Sequence, residues 1–137
     1  MQTHFSLNDH ELELQFENRE LSPKLFCHEA HLRLAWIHLK KYGEEKAIKN
    51  LTQQITAFAN KNGAPNKFNM TLTTAAIKAV HHFLKKSSSS NFRDFMKEFP
   101  RLKTRFKELM AAHYGFDIYN SQVAKTKFLA PDLLPFD

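Results

Sequence analysis

Three histidines lie close together in an apolar segment that spans residues 26–39. They are His28, His31 and His38. Imidazole is a common metal ligand, and it is also an acid and a base whose charge changes near neutral pH. In a helix, residues three apart lie one above the other, so His28 and His31 can converge on one ion or ligand. The pair therefore predicts either half of a metal site or two groups for acid–base chemistry.

Helical geometry limits the candidate site residues of this segment to His28 and His31. His38 lies about 10 Å further along the helix axis than His31, because each residue rises about 1.5 Å, so it cannot join the same ion. Glu29 faces away from both histidines of the pair. Zinc proteases carry their two histidines four residues apart, not three. The segment is therefore not a metalloprotease motif.

A metal held by His28 and His31 needs further ligands from distant parts of the chain. The candidates are Glu13 and Glu17 in the N-terminal segment and His81 and His82 in the third predicted helix. Adjacent helical residues point in different directions, so at most one of these last two histidines faces inward. The alternative is that the histidines are structural, each hydrogen-bonded to a main-chain or carboxylate partner without any ligand.

The composition predicts one all-α domain. The chain has 137 residues, 42% of them hydrophobic and 25% charged, with only three glycines and five prolines. These proportions are typical of a globular protein. We expect a single-domain, all-α bundle of four to six helices. Its parts are an acidic arm or short helix at 1–21, a three-helix core at 22–86, a serine linker at 87–90, and C-terminal helices with a docked tail at 91–137.

Local signals place the first two core helices. Ser22 is a good N-cap residue and Pro23 suits the first helical position, so the histidine helix is expected to begin there and end at Gly43. The next helix is expected to run from Glu44 to Asn62, before Gly63. The two then form an antiparallel hairpin with a very short connection.

Similar signals place the remaining helices. Thr71 or Thr73 is expected to cap the third core helix, and Asn91 the next one. Pro100 interrupts the pattern, after which a further helix is expected over residues 101–114. The apolar tail that follows is expected to dock on the body of the protein.

The histidine helix is apolar around most of its circumference, which is typical of a central helix. Its histidines are therefore expected to be partly buried. Glu29, Arg33 and Lys40 cluster on one narrow arc. We expect that arc to be the face exposed to water.

The charge distribution is uneven. Residues 1–31 hold six acidic and two basic residues, a net charge of −4. Since the whole chain has a net charge of +6, the other residues carry +10. Basic residues between 97 and 107 alternate with Phe95, Phe99 and Phe106, a combination that can bind nucleic acid. These aromatic residues have helical spacing, which favours a place in the core. Nucleic-acid binding is therefore a weaker alternative function.

The chain is expected in the cytoplasm. Cys27 is its single cysteine, so no intramolecular disulfide can form, which fits a reducing compartment. The N-terminus lacks the pattern of a signal peptide. No apolar run approaches the ~20 residues that cross a bilayer, so no membrane partner is expected. Cys27 itself is interpreted as a buried, inert thiol, because His28 next to it diverges in a helix and is poorly placed as a base.

Parts of the sequence resemble a family of small, all-helical bacterial proteins without an assigned function. The resemblance rests on Phe26-x-His28-x-x-His31-Leu-Arg-Leu-Ala-Trp36, on Phe68-Asn69-x-Thr71-x-Thr73 and on Phe128-x-x-Pro131-Asp132-Leu133. It implies one pocket that gathers His28, His31 and the residue at position 69, with Thr71 and Thr73 nearby. The family pattern has a histidine where this chain has Asn69. That departure weakens the case for a tight metal site, although asparagine can still donate and accept hydrogen bonds.

The leading functional prediction is a helical bundle with a histidine-lined pocket. The pocket binds a polar small molecule, or its histidines act as acid and base; the expected lining residues are His28, His31, Trp36, Asn69, Thr71 and Thr73. A second version places a divalent metal on the two histidines. The alternative class is a non-catalytic interaction module with structural histidines. The sequence leaves open whether the protein is an enzyme and whether it forms a homo-oligomer.

Overall fold

The computed structural model describes residues 2–136, which form α-helices and short 3-10 helices without any β-strand. Met1 and Asp137, the two ends of the predicted domain, lie outside the described residues. The α-helices are α1 Asp9–Glu17, α2 His28–Tyr42, α3 Glu44–Lys61, α4 Met70–Leu84, α5 Phe92–Glu98, α6 Arg101–Thr104, α7 Phe106–His113 and α8 Gln122–Thr126. The 3-10 helices are His4–Ser6, Pro23–Leu25 and Pro65–Lys67. The all-α prediction is confirmed, with more helices in this range than the four to six expected, since several are short.

The chain divides into two compact units, Met1–Phe68 and Asn69–Asp137. We refer to them as the N-terminal and the C-terminal unit. The boundary lies just before α4, whereas the serines predicted as a linker, 87–90, fall inside the C-terminal unit. The single-domain organisation stays a prediction.

The ends of the α2–α3 hairpin are confirmed, but the start of α2 is not where the sequence predicts it. Gly43, at φ 87°, joins the two helices directly. Ser22 makes no side-chain capping bond, and Pro23 opens a separate 3-10 turn. Cys27 then adopts an extended conformation, so that α2 begins only at His28.

The N-terminal arm is a helix that is tied to α2. Asn8 caps α1 through a capping box with Glu11, which starts a helix here although Leu12, Leu14 and Phe16 alternate with polar residues as they would in a strand. The buried carboxylate of Glu13 then accepts hydrogen bonds from Lys41 Nζ and Tyr42 Oη, both at 2.6 Å. Burial raises the pKa of Glu13, but these two donors outweigh it and hold the pKa below its usual value.

The expectation that Arg33 faces water is wrong. Arg33 is only 5% exposed. Its guanidinium donates to the main-chain oxygens of His4 (2.7 Å) and Leu7 (2.9 Å) and pairs with Asp9 at 2.9 Å. A helical wheel gives the direction of a side chain but not what covers it. Here the N-terminal segment covers that arc of α2 and supplies the partners for a buried charge.

The C-terminal unit differs from the prediction at two caps. Asn69, not Thr71 or Thr73, is the N-cap of α4, because its side chain accepts a hydrogen bond from the Leu72 amide at 2.9 Å. Asn91 caps α5 as predicted. The helix expected over 101–114 is broken, because Arg105 leaves the helical conformation between α6 and α7.

The C-terminal tail docks on its own unit, as expected. The hydroxyl of Tyr114 donates to the Leu129 carbonyl at 2.8 Å. His113 Nδ1 donates to the Leu134 carbonyl at 2.7 Å, and the His113 ring stacks on Phe136 with centroids 4.1 Å apart. The side chains of Leu133 and Leu134 nevertheless stay exposed.

Candidate functional site

The predicted histidine pair stands in the first turn of α2. Cys27 is its N-cap residue, makes no side-chain capping bond and is exposed, so the prediction of a buried thiol is wrong. His28 is exposed, whereas the Nε2 atom of His31 is buried and has no hydrogen-bond partner among the described residues. The two histidines therefore share one helix turn but have different surroundings.

The burial of His31 sets its chemistry. Burial, and to a smaller extent the neighbouring His28, lowers the pKa of His31 to about 4. The imidazole is therefore neutral throughout the physiological pH range. A group that stays neutral from pH 5 to pH 8 does not change its charge there, which favours a structural or ligand-supporting role over that of a protonated acid.

No group of three or more His, Cys, Asp or Glu side chains within residues 2–136 is arranged to hold a metal ion. Of the ligands considered from the sequence, Glu13 is engaged by Lys41 and Tyr42. Glu17 is exposed. His81 and His82 belong to the C-terminal unit. A metal on the histidine pair stays a prediction without an identified third ligand.

The other predicted site residues are buried, and three of them, Trp36, Asn69 and Thr71, contact identified partners. Trp36 is buried in the N-terminal unit, with Lys40 Nζ lying 5.0 Å from its ring centroid. Asn69 uses both ends of its amide, because it also donates to the Ile118 carbonyl at 2.8 Å. Thr71 donates to the Lys127 carbonyl and accepts from the Leu129 amide. Thr73 is buried. Asn69 and Thr71 therefore position the segments before and after α8.

A cleft opens in the N-terminal unit beside the histidine pair. Its volume is about 310 Å³. The Phe26 ring, whose centroid lies 6.2 Å from that of His31, forms part of its wall. We call it the Phe26 cleft. It is lined by Pro23, Phe26, Ile55, Phe58, Ala59, Asn62, Ala64, Lys67 and Phe68.

Aromatic packing fixes the wall of the Phe26 cleft. The rings of Phe16, Phe26 and Phe58 pack against one another, with centroid separations of 4.9, 5.1 and 5.1 Å. Phe16 and Phe58 are buried, so the wall is part of the core of this unit. The polar lining side chains, Asn62 and Lys67, are exposed. The cleft is thus apolar inside and polar at its rim.

The end of α3 explains why the chain folds back to form this cleft. Gly63 takes up a left-handed conformation, φ 71°, which a residue with a side chain rarely adopts. The Gly63 amide donates to the Asn60 carbonyl and the Ala64 amide to the Ala59 carbonyl, the two bonds of a Schellman motif. Pro65 then opens a 3-10 turn that returns the chain toward α3.

No family model, curated protein or solved structure matches this chain. The resemblance to small bacterial helical proteins therefore stays a prediction. The structure also has no helix within residues 2–136 that is long and apolar enough to cross a membrane.

The sequence analysis missed most of the cleft. Phe26 and Phe68 belong to the segments on which the family resemblance rests, but the sequence analysis gave them no role in the site. The available signal is local: an Asn-Gly helix end followed by a proline turn folds the chain back on the apolar face it has just left. Which aromatic residues meet there depends on tertiary packing.

Proposed function

We propose that this protein binds a small, mainly apolar ligand with one anionic group in the Phe26 cleft. The observation that carries the proposal is the cleft itself: about 310 Å³, walled by aromatic and aliphatic side chains of the core, with Lys67 as the charged residue of its lining. Small-molecule sites are typically clefts of roughly 300–1,000 Å³ with apolar walls and a few polar groups. The cleft has this combination.

The rim determines how such a ligand would lie. Asn62 and Lys67 are both exposed at the polar side of the cleft. The ammonium group of Lys67 attracts an anion, whereas the apolar side chains of the walls cannot form a hydrogen bond with a ligand. The apolar body of the ligand therefore lies against Phe26 and Phe58, and its anionic end lies at the rim near Lys67.

His31 acts indirectly in this proposal. It contacts the ring of Phe26 and is not itself a lining residue. A neutral imidazole behind the ring supports the wall without placing a charge next to an apolar ligand. The histidine pocket expected from the sequence is thereby replaced by an aromatic cleft that the histidine supports.

The proposal is tested with decanoate as an anionic probe and decanol as its neutral counterpart, each titrated into the ¹⁵N-labelled full chain and followed by NMR. We expect saturable shifts of amides in residues 55–68. Ala59→Trp fills the cleft and should abolish binding of both probes. Gln53→Trp, which is exposed on the same helix and outside the lining, is the matched control and should bind normally.

The position of the anionic end has a separate test. Lys67→Gln should weaken decanoate about threefold, the effect of one exposed ion pair, and leave decanol unchanged. Unsaturable shifts spread over the whole chain, or equal losses in the Ala59 and Gln53 variants, contradict the proposal.

A second candidate function is a non-catalytic interaction module that forms a homo-oligomer. It is favoured by Leu133 and Leu134, which are 60% and 52% exposed on a main chain that His113 holds in place. Sedimentation velocity of the full chain and of a Leu133→Ser, Leu134→Ser variant tests it. A wild-type chain that stays monomeric at high concentration rules this candidate out.

The metal version and the cellular location have their own tests. Metal analysis of the purified wild-type chain and of His31→Ala decides the first, since a bound divalent metal must be stoichiometric in the wild type and lost in the variant.

We also place the protein in the cytoplasm, because Cys27 is a free, exposed thiol, which a reducing compartment maintains. Recovery of the protein in a disulfide-linked form from cells would contradict that placement.

A further inference from the structure

We propose that the C-terminal unit carries a separate binding site for a small planar aromatic anion. The site is a cleft of about 250 Å³ at the loop between α7 and α8. We call it the Tyr119 cleft. It is lined by Lys107, Met110, Ala111, Tyr114, Phe116, Asp117, Ile118 and Tyr119. It shares no residue with the Phe26 cleft and does not depend on the proposed function.

Three aromatic rings form much of the wall. The rings of Tyr114 and Phe116 meet edge to face, with centroids 5.6 Å apart and an interplanar angle of 87°. Tyr114 is buried, whereas Phe116 is 41% exposed. Tyr119 is the third aromatic residue of the lining. Aromatic rings pack favourably against other flat rings, so a planar ligand suits this wall better than an aliphatic chain.

The loop that carries these rings is fixed in place by hydrogen bonds. The Gly115 amide donates to Asp132 Oδ1 at 2.7 Å, and a Cβ at Gly115 would lie 3.1 Å from the other oxygen of that carboxylate. Asn69 binds the Ile118 carbonyl from the cap of α4. Asp117 accepts from the Tyr119 and Asn120 amides. A wall that is already ordered loses little conformational freedom when a ligand binds.

The charges at the Tyr119 cleft favour an anion. Lys107 Nζ lies 5.4 Å from the centroid of the Tyr119 ring. The Asp117 carboxylate is occupied by loop amides and the Asn120 side chain, and these hydrogen bonds, together with the charge of Lys107, lower its pKa. The Asp117 carboxylate therefore stays negative, but its oxygens are taken up by the loop N–H groups that donate to them, whereas Lys107 Nζ lies at the aromatic wall, where it can meet an anionic group. Residues 69–137 also carry +5 of the chain's net charge of +6.

Tyr119 adds a hydrogen-bonding group to this wall. Its hydroxyl is buried and has no partner among the described residues. Burial, and secondarily Asp117, raises the pKa of the phenol, so it keeps its proton and can donate. The Tyr119 hydroxyl itself is closed off from solvent, so the match to an aromatic ring that bears a carboxylate or a similar anionic group rests on the aromatic wall and on Lys107.

The test uses 1-naphthoate and neutral 1-naphthamide as probes of the ¹⁵N-labelled full chain. We expect saturable shifts at Lys107 and at the amides of residues 115–119 with naphthoate. Phe116→Ala should weaken both probes about tenfold, by loss of the aromatic contact. Lys107→Gln should weaken naphthoate about threefold and leave naphthamide unchanged. Lys97→Gln, an exposed lysine of the same unit outside the cleft, is the matched control.

Three outcomes overturn the proposal. Naphthoate produces no saturable shift at residues 107 and 115–119, or its shifts are confined to the Phe26 cleft, or Lys97→Gln and Lys107→Gln have the same effect. The Ala59→Trp variant separates the two sites, because it fills the Phe26 cleft and should leave naphthoate binding at Tyr119 intact.

Discussion

The two units hold their irregular segments in place by different chemistry. In the N-terminal unit, charged groups do this: the buried guanidinium of Arg33 binds the segment before α1, and the buried carboxylate of Glu13 binds the end of α2. In the C-terminal unit, the buried side chains that do this are neutral and bind main-chain carbonyls, whereas the carboxylates that hold its loop, Asp117 and Asp132, are exposed. Asn69, Thr71 and Tyr114 each hold a loop or tail segment in this way.

This difference has energetic consequences. A buried charge loses its hydration, so removing one member of its set of partners is costly. A neutral hydrogen bond contributes less, and its contribution does not change with pH. The N-terminal unit should therefore respond strongly to loss of a charge and to pH, whereas the C-terminal unit should respond to single hydrogen bonds in smaller steps.

The largest expected effect is that of Arg33→Met. The variant leaves the His4 and Leu7 carbonyls without their donor and Asp9 without its partner, so we expect the free energy of unfolding to fall by about 3–5 kcal/mol. Urea denaturation measures it. Arg101→Met, at an exposed arginine of the other unit, is the control and should change stability little. A loss below about 1 kcal/mol would mean that the buried charge of Arg33 does not make the N-terminal unit more sensitive than the C-terminal unit.

The second effect concerns the neutral bonds of the C-terminal unit. Asn69→Ala removes both the cap of α4 and the donor to the Ile118 carbonyl, and should cost about 2 kcal/mol. Asn69→Ser keeps a capping oxygen but cannot reach that carbonyl, so its loss should be intermediate. Urea denaturation at one pH compares the three chains. Equal stability of the serine and alanine variants would show that the cap contributes nothing.

These two positions also show what sequence alone could predict. The ends of α2 and α3 follow from local rules, because Gly43 and the Asn62-Gly63 pair stop a helix by their own conformations. The burial of Arg33 does not, since it depends on a segment about 25 residues away in the chain that happens to carry the right carbonyls. Local capping chemistry is therefore the most predictable part of this fold.

The candidate site was predictable only in part, for the same reason. Spacing places His28 and His31 on one turn of α2, but it cannot show that the Nε2 atom of His31 is buried whereas His28 is exposed. The Phe26 cleft brings Phe26 beside Phe68, 42 positions later in the sequence. Contacts between such distant residues arise from packing, which no periodic pattern within a single helix contains.

The third prediction is a pH dependence that belongs to the N-terminal unit. The folded-state pKa of His31 is about 4, below its ordinary value of 6.5. The unfolded chain therefore binds a proton that the folded chain does not, and stability falls as pH decreases from 6.5 toward 4. We expect a loss of about 1–2 kcal/mol over this range, measured by urea denaturation at a series of pH values.

Two variants identify the source of that slope. His31→Leu should flatten it, with a remainder from His38 and from His82 in the C-terminal unit, because burial also lowers the pKa of each of these two histidines. His28→Leu, at the exposed neighbour, should keep most of the slope of the wild type, because it removes only the smaller of the two causes that lower the pKa of His31. Glu13 acts at lower pH, because its depressed pKa means that its contribution is present above about 4.5 and disappears only below that value. An unchanged slope in His31→Leu would place the pH response elsewhere.

The smallest expected effect comes from removing a tyrosine hydroxyl at two places in the C-terminal unit. This pair of variants compares a hydrogen-bonded hydroxyl directly with one that has no partner among the described residues. Tyr114→Phe loses a hydroxyl that donates to the Leu129 carbonyl, so it should destabilise the chain by about 1 kcal/mol. Tyr119→Phe loses a buried hydroxyl that has no partner among the described residues. Its removal relieves an unsatisfied group, so stability should stay the same or rise by up to about 1 kcal/mol. Urea denaturation of the two variants side by side measures the difference. If both lose stability equally, the Tyr119 hydroxyl has a partner in solution, and it is no longer a free donor for a ligand in the cleft.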